Sequence, residues 1–342
     1  FASLPFGHNP DFLKESSFQN ESLKVINNRT PLCAFESVIK NNYIESLDRL
    51  VNKEDIYSNV VFSETGALAV ELAIKLFAVS RKNKPVKIYT IKNSFHGIYG
   101  IAGSLTYQSN TAVERLNPIH KSFPNYKIAF HSISHAKDLD MIDDFENSLI
   151  IIEPIRCTSG DLGINNDIIE NILRKQKEGL TVISDEIQTG FLSTGSFWAC
   201  DKWGLKPDII IFGKKFQVCG CICKQTFSQF IEINHPKYFS STFDASLIDL
   251  IRGKYFNNHL FSNMRRYISN VNEISNLFHS RLNGILEPNN LRVNGLFLAI
   301  DFGKKEKRDF VAMKLFENNI LCNPTGDTCI RFRSNLHTHI SE

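Results

Sequence analysis

Residues 181–220 read TVISDEIQTGFLSTGSFWACDKWGLKPDIIIFGKKFQVCG. The apolar run from Leu180 to Ser184 ends in an acidic pair, Asp185-Glu186. A glycine-punctuated polar turn follows, then a short aromatic amphipathic segment around Phe197 and Trp203. A second apolar run, Ile209 to Phe212, ends in Gly213-Lys214-Lys215. Unbroken β-branched runs are what a parallel strand buried on both faces requires. Open α/β sheets carry their chemistry just past the carboxyl ends of such strands. Asp185 and Lys214 are therefore expected at neighbouring strand tips, each facing a crevice.

The chain on either side repeats this grammar. Val60-Val61-Phe62 leads through Ser63-Glu64-Thr65-Gly66-Ala67 into LAVELAIKLFAVS, a small-residue turn opening a strong helix pattern. Val86 to Ile91 alternates as a strand and closes in Asn93-Ser94-Phe95-His96-Gly97. Leu149 to Ile152 is a buried strand ending in Glu153-Pro154-Ile155-Arg156-Cys157-Thr158-Ser159-Gly160-Asp161. A helix pattern over 164–177 crosses back to the strand at 181–185, and Val218 to Lys224 reads as one more strand. Such βαβ alternation predicts an α/β fold with a mostly parallel sheet covered by helices on both faces. Helical periodicity marks 33–52, through Phe35, Val38, Ile39, Tyr43, Ile44, Leu47 and Leu50, and again 245–282. Beyond it, 291–301 reads as a strand and 308–319 as a helix. The expected organisation is a turn-rich N-terminal segment (1–30), a large domain (31–246) and a smaller α+β C-terminal domain (247–342).

At 342 residues and 42% hydrophobic, the chain can bury a substantial core. A net charge of +3 with mixed signs offers no basic patch for nucleic acid or anionic membrane. No apolar stretch reaches membrane-spanning length, and FASLPFGHNP lacks the basic start and apolar core of a secretory signal. None of the eight cysteines forms a CxxC pair, and no His–Cys spacing suits zinc. They read as small buried hydrophobes in a reduced cytoplasm, with no metal expected.

An acid and an amine at adjacent strand tips suit a cofactor with a protonated ring nitrogen and an aldehyde, namely pyridoxal 5'-phosphate. DEIQTG, the later TG, and KPDIIIFGKK together resemble the class III pyridoxal-phosphate aminotransferases of fold type I. FGKK-x-QVCG is most similar to their lysine 6-aminotransferase (lysine ε-aminotransferase) branch. The resemblance spans nearly the whole chain and implies transfer of the ε-amine of lysine to 2-oxoglutarate. Against that family the chain begins inside the usual start and stops before the usual C-terminal helix, so both ends are expected to be incomplete.

Transamination needs a lysine that forms an imine and then shuttles a proton. Lys215 competes for that role, but consecutive residues on an extended segment face opposite ways. The resemblance selects Lys214. Asp185 would keep the ring nitrogen charged, since an opposite charge typically shifts such a group by about 1–3 pKa units. Gln188 would bond the phenolic oxygen. The resemblance further implies that Phe95 stacks on the ring with His96 beside it. It matches Gly66 to Glu71 to the phosphate-binding segment, where exposed helix amides meet an anion. Thr65 there stands where relatives usually have another glycine. Thr242, in Ser240-Ser241-Thr242-Phe243, would reach the phosphate of a neighbouring subunit, implying a homodimer with shared sites. Phe1 to Pro10 would form part of the active-site mouth.

Each element also has a plainer reading. The turn at Thr65 and the Ser/Thr pair at 241–242 can be ordinary helix caps. Phe95-His96 can be core packing, and Asp185-Glu186 exposed loop acids. The substrate pocket departs from the family pattern. Ile98 replaces an arginine that helps bind substrate carboxylate, Thr158 replaces an acid that pairs with a substrate-binding arginine, and Arg156 replaces a glutamine. An apolar side chain makes no bidentate carboxylate contact. Arg331, in Cys329-Ile330-Arg331-Phe332-Arg333, aligns with the carboxylate-binding arginine, followed by Ser334-Asn335 instead of two prolines. Either Arg156 compensates for Ile98 or the substrate differs. Another ω-aminotransferase, an aminomutase and a decayed relative all remain open at this point.

Overall fold

The computed structural model describes residues 3–32, 37–51, 57–82, 84–106, 128–233, 239–286 and 290–338. Its large sheet contains β1 (Tyr57–Ser63), β2 (Val86–Ile91), β3 (Ile128–Ile133), β4 (Ser148–Ile152), β7 (Thr181–Asp185), β8 (Ile209–Phe212) and β9 (Cys219–Lys224). A short ribbon of β5 (Ile155–Arg156) and β6 (Leu162–Gly163) follows β4. The strand order is β1-β9-β8-β7-β4-β2-β3. Strands β3, β2, β4, β7 and β8 pair in parallel, and β9 runs antiparallel between β8 and β1. This is the mostly parallel α/β sheet that the apolar runs predict.

Side-chain alternation sends each strand into two separate cores. Leu149, Ile151, Ile183, Ile209 and Ile211 face a cluster completed by α3 (Gly66–Ser80), α4 (Gly100–Leu105) and α6 (Gln225–Ile233). Their neighbours Ile150, Ile152, Val182, Ile210 and Phe212 face the opposite cluster. There they meet α2 (Val38–Asp48), α5 (Asn166–Lys177) and α7 (Leu247–Leu282). A strand buried on both faces has no use for polar positions, which is why these runs are unbroken. Strand β2 is likewise buried at all but Lys87, so it is not the half-exposed strand its alternation suggests. Cys221 and Cys223 lie buried on one face, as their spacing predicts, with Cys219 packed beside them.

The C-terminal part carries a four-stranded sheet, β10 (Leu291–Asn294), β11 (Phe297–Asp301), β13 (Cys329–Arg333) and β12 (Asn323–Thr325), in that order. The single strand expected over 291–301 is thus a hairpin, with Asn294 paired to Phe297. Gly295-Leu296 turns the chain, Gly295 taking φ +63°, a value that suits glycine in a two-residue turn. The following helix, α8, runs Lys305–Glu317, three residues ahead of the expected start at 308. The helix expected over 33–52 is observed as α2; Cys33, Phe35 and Asn52 lie outside the described residues.

Candidate active site

Strands β7 and β8 are parallel neighbours, so their carboxyl ends open on one side of the sheet. Glu186 N donates to Ile211 O at 2.8 Å, which extends the pairing past Asp185. The turn after β7 is then fixed by Ile187 N on Asp185 Oδ1 (3.2 Å) and Gly190 N on Glu186 O (2.9 Å). After β8 the chain does not continue extended. Lys214 to Phe216 form one tight helical turn, and Lys214 adopts φ 50°. A non-glycine residue in the left-handed region is uncommon, and such conformations cluster at functional sites. The separation of Lys214 from Lys215 therefore arises from a turn rather than from strand alternation.

Lys214 Nζ reaches Gln188 Oε1 at 3.3 Å, while Lys215 is buried with its amine on the Gln188 carbonyl. Asp185 is buried and Oδ2 lies 2.8 Å from His96 Nδ1. His96 is itself buried, with Nε2 at 3.1 Å from Thr90 Oγ1. A carboxylate is acceptor-only, so the ring proton belongs on Nδ1 and the threonine hydroxyl donates to Nε2. This chain fixes the orientation of Asp185. The acidic pair divides its work: Glu186 is buried elsewhere, accepting from Cys200 N at 2.8 Å and from the Thr189 hydroxyl. Neither member is an exposed loop acid.

Four turns converge here. A Cβ on Gly66 would lie 3.0 Å from Ile187 Cδ1, and one on Gly213 would lie 3.4 Å from Ile187 Cγ2. A Cβ on Gly97 would lie 2.8 Å from that of Ala67. So the start of α3, the loop after β2 and the tips of β7 and β8 share one small volume. At that helix start Thr65 is the N-cap, its side chain accepting from Leu68 N at 3.3 Å. The first intrahelical bond is Ala69 N to Thr65 O, which leaves Gly66 N and Ala67 N ahead of the ladder. Phe95 belongs to the loop after β2, half-buried, with its amide donating to Glu153 Oε2 at 2.6 Å. Glu153 was legible only as part of a motif frame, yet it is a strand-tip acid by the logic that singled out Asp185. Burial, with the Asp185 charge second, pushes its pKa up to about 8, against the Phe95 amide, Lys214 and Arg156.

The substrate-side residues are more scattered. Ile98 is 47% exposed. Arg156 donates Nη1 to Lys92 O (2.8 Å) and Nη2 to Gly163 O (2.5 Å), so two carbonyls hold its guanidinium. Arg331 Nη1 donates to Cys157 O at 2.9 Å, and burial lowers the pKa of both arginines. Thr158 Oγ1 is buried without a partner, while Thr158 O accepts from Thr325 Oγ1 at 2.6 Å. Thr242 lies exposed in the turn ahead of α7, whose N-cap is Ser246, so the 241–242 pair does not cap that helix. Sequence reasoning missed Arg333, whose buried guanidinium pairs through both nitrogens with Asp161 (2.5 and 2.7 Å).

An open α/β sheet with an amine and an oriented carboxylate at adjacent strand tips defines a group-transfer enzyme built around a carbonyl cofactor. Comparison with known proteins narrows the class. The family described as aminotransferase class-III matches residues 1–341, and the chain belongs to that family. It is similar to the L-lysine-epsilon aminotransferase of Streptomyces clavuligerus, with 25% identity over 98% of this chain and 80% of that protein. It is similar also to the [LysW]-aminoadipate semialdehyde/glutamate semialdehyde transaminase of Sulfurisphaera tokodaii, 33% identical over 53% of this chain and 44% of that protein. Among solved structures, the lysine aminotransferase from M. tuberculosis superposes with a TM-score of 0.87 at 23% identity, covering 99% of this chain and 85% of that one.

Class III aminotransferases use pyridoxal 5'-phosphate. The donor set fits it. Gly66 and Ala67 amides suit a phosphate, Asp185 a ring nitrogen, Gln188 a phenolic oxygen, and Lys214 an aldehyde. When bound, the cofactor supplies an electron sink for the carbon that loses a proton.

Proposed function

We propose that the protein transfers the ε-amino group of L-lysine to 2-oxoglutarate, giving glutamate and 2-aminoadipate 6-semialdehyde. The observation that carries this reading is the likeness, across 98% of the chain, to a lysine ε-aminotransferase. The site geometry supports transamination in general. Lys214 has an amine held by one neutral amide oxygen, the arrangement from which a lysine can move a proton between two carbons. Asp185, oriented by His96, holds a negative charge against a ring nitrogen. Arg331 is the proposed anchor for a substrate carboxylate.

The reading carries a homodimer in which Thr242 of one chain reaches its partner's site, operating in a reduced cytoplasm. The described cysteines are free thiols, and no helix among the described residues is long and apolar enough to cross a membrane. A second reading, a different ω-amine donor, is favoured by the exposed Ile98 and by Arg156 being engaged on carbonyls. Lysine labelled with nitrogen-15 at the ε-position separates them. Labelled glutamate formed from 2-oxoglutarate supports the first reading. Glutamate formed with ornithine or 4-aminobutyrate as donor, and none with lysine, supports the second and overturns the first.

A further inference from the structure

Lys215 is a buried amine that transamination as derived above leaves unused. The residue is 5% exposed, and its amine donates to the main-chain carbonyl of Gln188. The same ammonium lies 5.4 Å from the centroid of the Phe297 ring on β11. Taking a lysine out of water is costly, and a methionine would fill similar space without that cost. The charged and titratable groups that face it are Lys214, Cys157, Arg333 and Glu186. Among the described residues no carboxylate lies in hydrogen-bonding contact with it, so charge pairing does not explain the burial.

The carbonyl it holds does explain it. Gln188 is gripped twice: by Lys215 at its main chain and by Lys214 at its side chain, 3.3 Å from Oε1. Gln188 sits in the turn between Asp185 and Gly190, whose backbone is otherwise fixed at Ile187 N and Gly190 N. A free carbonyl at the crest of that turn would let the peptide rotate and carry the Gln188 amide away from Lys214. We infer that Lys215 is a positioning residue, which fixes the Gln188 main chain so that its side chain meets Lys214 and the cofactor edge. An amine keeps N–H donors whether charged or neutral, the charged form donating more strongly, so a grip on the carbonyl remains although burial lowers this amine to about pKa 7. The inference needs only the family's aminotransferase chemistry and is independent of which amine is the donor.

The test compares Lys215→Met, Gln188→Ala and the double variant in the cofactor-loaded enzyme. Lys215→Met is expected to lower kcat about 10-fold or more, with KM for both substrates within about two-fold, because a mispositioned proton-transfer partner slows chemistry rather than binding. Acting through Gln188, it should add less than about two-fold in the Gln188→Ala background. Independent multiplication of the two losses would overturn the proposal. A second readout avoids turnover: in cofactor-free protein, amide hydrogen exchange over 186–190 should quicken about 10-fold or more in Lys215→Met, with other segments unchanged. Unaltered exchange there would also overturn it. If Lys215→Met does not fold, Lys215→Leu, which likewise removes the donor, takes its place in both measurements.

Discussion

At the residue scale the site is a set of side chains whose ionisation is set by what surrounds them. Lys214 is the proposed source of the reacting amine, and Lys214→Ala is expected to lower turnover by at least ~10³-fold while leaving thermal stability nearly unchanged. A variant within ten-fold of the parent would show that the amine lies elsewhere. Glu153 and Lys215 make opposite demands on pH. Glu153 is raised from 4.5 to about 8, so the native state holds an extra proton in that interval. Its stabilising contribution is full below pH 4.5 and is lost as pH rises through 8. Lys215 is lowered from 10.5 to about 7, chiefly by burial, so its contribution is full above 10.5 and is lost as pH falls through 7. Together they produce a trough in stability between pH 7 and 8. Glu153→Gln should flatten the acid limb of a melting-temperature profile, and Lys215→Met the alkaline limb. Unchanged limbs would refute the assignments. The placement of Asp185 and Lys214 at neighbouring strand ends was legible because unbroken apolar runs mark the strands they follow. The burial of Glu153 and Lys215 was not, because the groups that enclose them come from distant segments.

At the element scale, the legible parts were those with one unambiguous period. Strands β4, β7 and β8 are unbroken β-branched runs, and they fall where the sequence places them. The hairpin of β10 and β11 was hidden because its turn is only two residues long and lies inside an otherwise apolar run. The start of α8 was missed because its first turn, Lys305-Glu306-Lys307, is charged and exposed and carries no period. The long helix α7 holds the lysine turn from behind. Gly253 faces Tyr43, whose hydroxyl donates to Phe216 O at 3.2 Å, directly after Lys215. A Cβ there would lie 2.5 Å from Tyr43 Cε2 and 2.8 Å from Phe216 O. Alanine would favour an isolated helix by roughly 0.5–1 kcal/mol. Overpacking costs about 1–3 kcal/mol, so the clash wins. Gly253→Ala should therefore destabilise in denaturant unfolding and also impair activity, because the displaced carbonyl belongs to the turn that aims Lys214. A stabilised variant would mean that the helix shifts freely.

At the scale of the whole molecule, the segment from Cys157 to Asp161 fastens the large sheet to the four-stranded one. Arg331 takes the carbonyl of Cys157, Thr325 and Gly326 take that of Thr158, and Arg292 takes that of Gly160 at 2.9 Å. The strongest link is Arg333 with Asp161, side chains 7% and 0% exposed. Arg333 also lies 4.6 Å from the centroid of Phe297, the ring that Lys215 touches from elsewhere. Lys215 of the large sheet's lysine turn and Arg333 of the four-stranded sheet thus meet through one ring. The proposed carboxylate anchor Arg331 and the proposed proton-handling Lys214 are linked through contacts among the protein's own residues. Losing one partner of a buried ion pair typically costs about 3–5 kcal/mol, because the other charge stays buried and unpaired. Asp161→Asn is the clean probe, since Asp161 has φ 55° and asparagine tolerates that region as aspartate does. It should lose about 3 kcal/mol or more in denaturant unfolding and raise KM for 2-oxoglutarate more than it lowers kcat. Combining it with Arg333→Met should recover part of that stability, because the stranded cation is gone. A double variant as unstable as the sum of the singles would show that the pair is not what joins the two sheets.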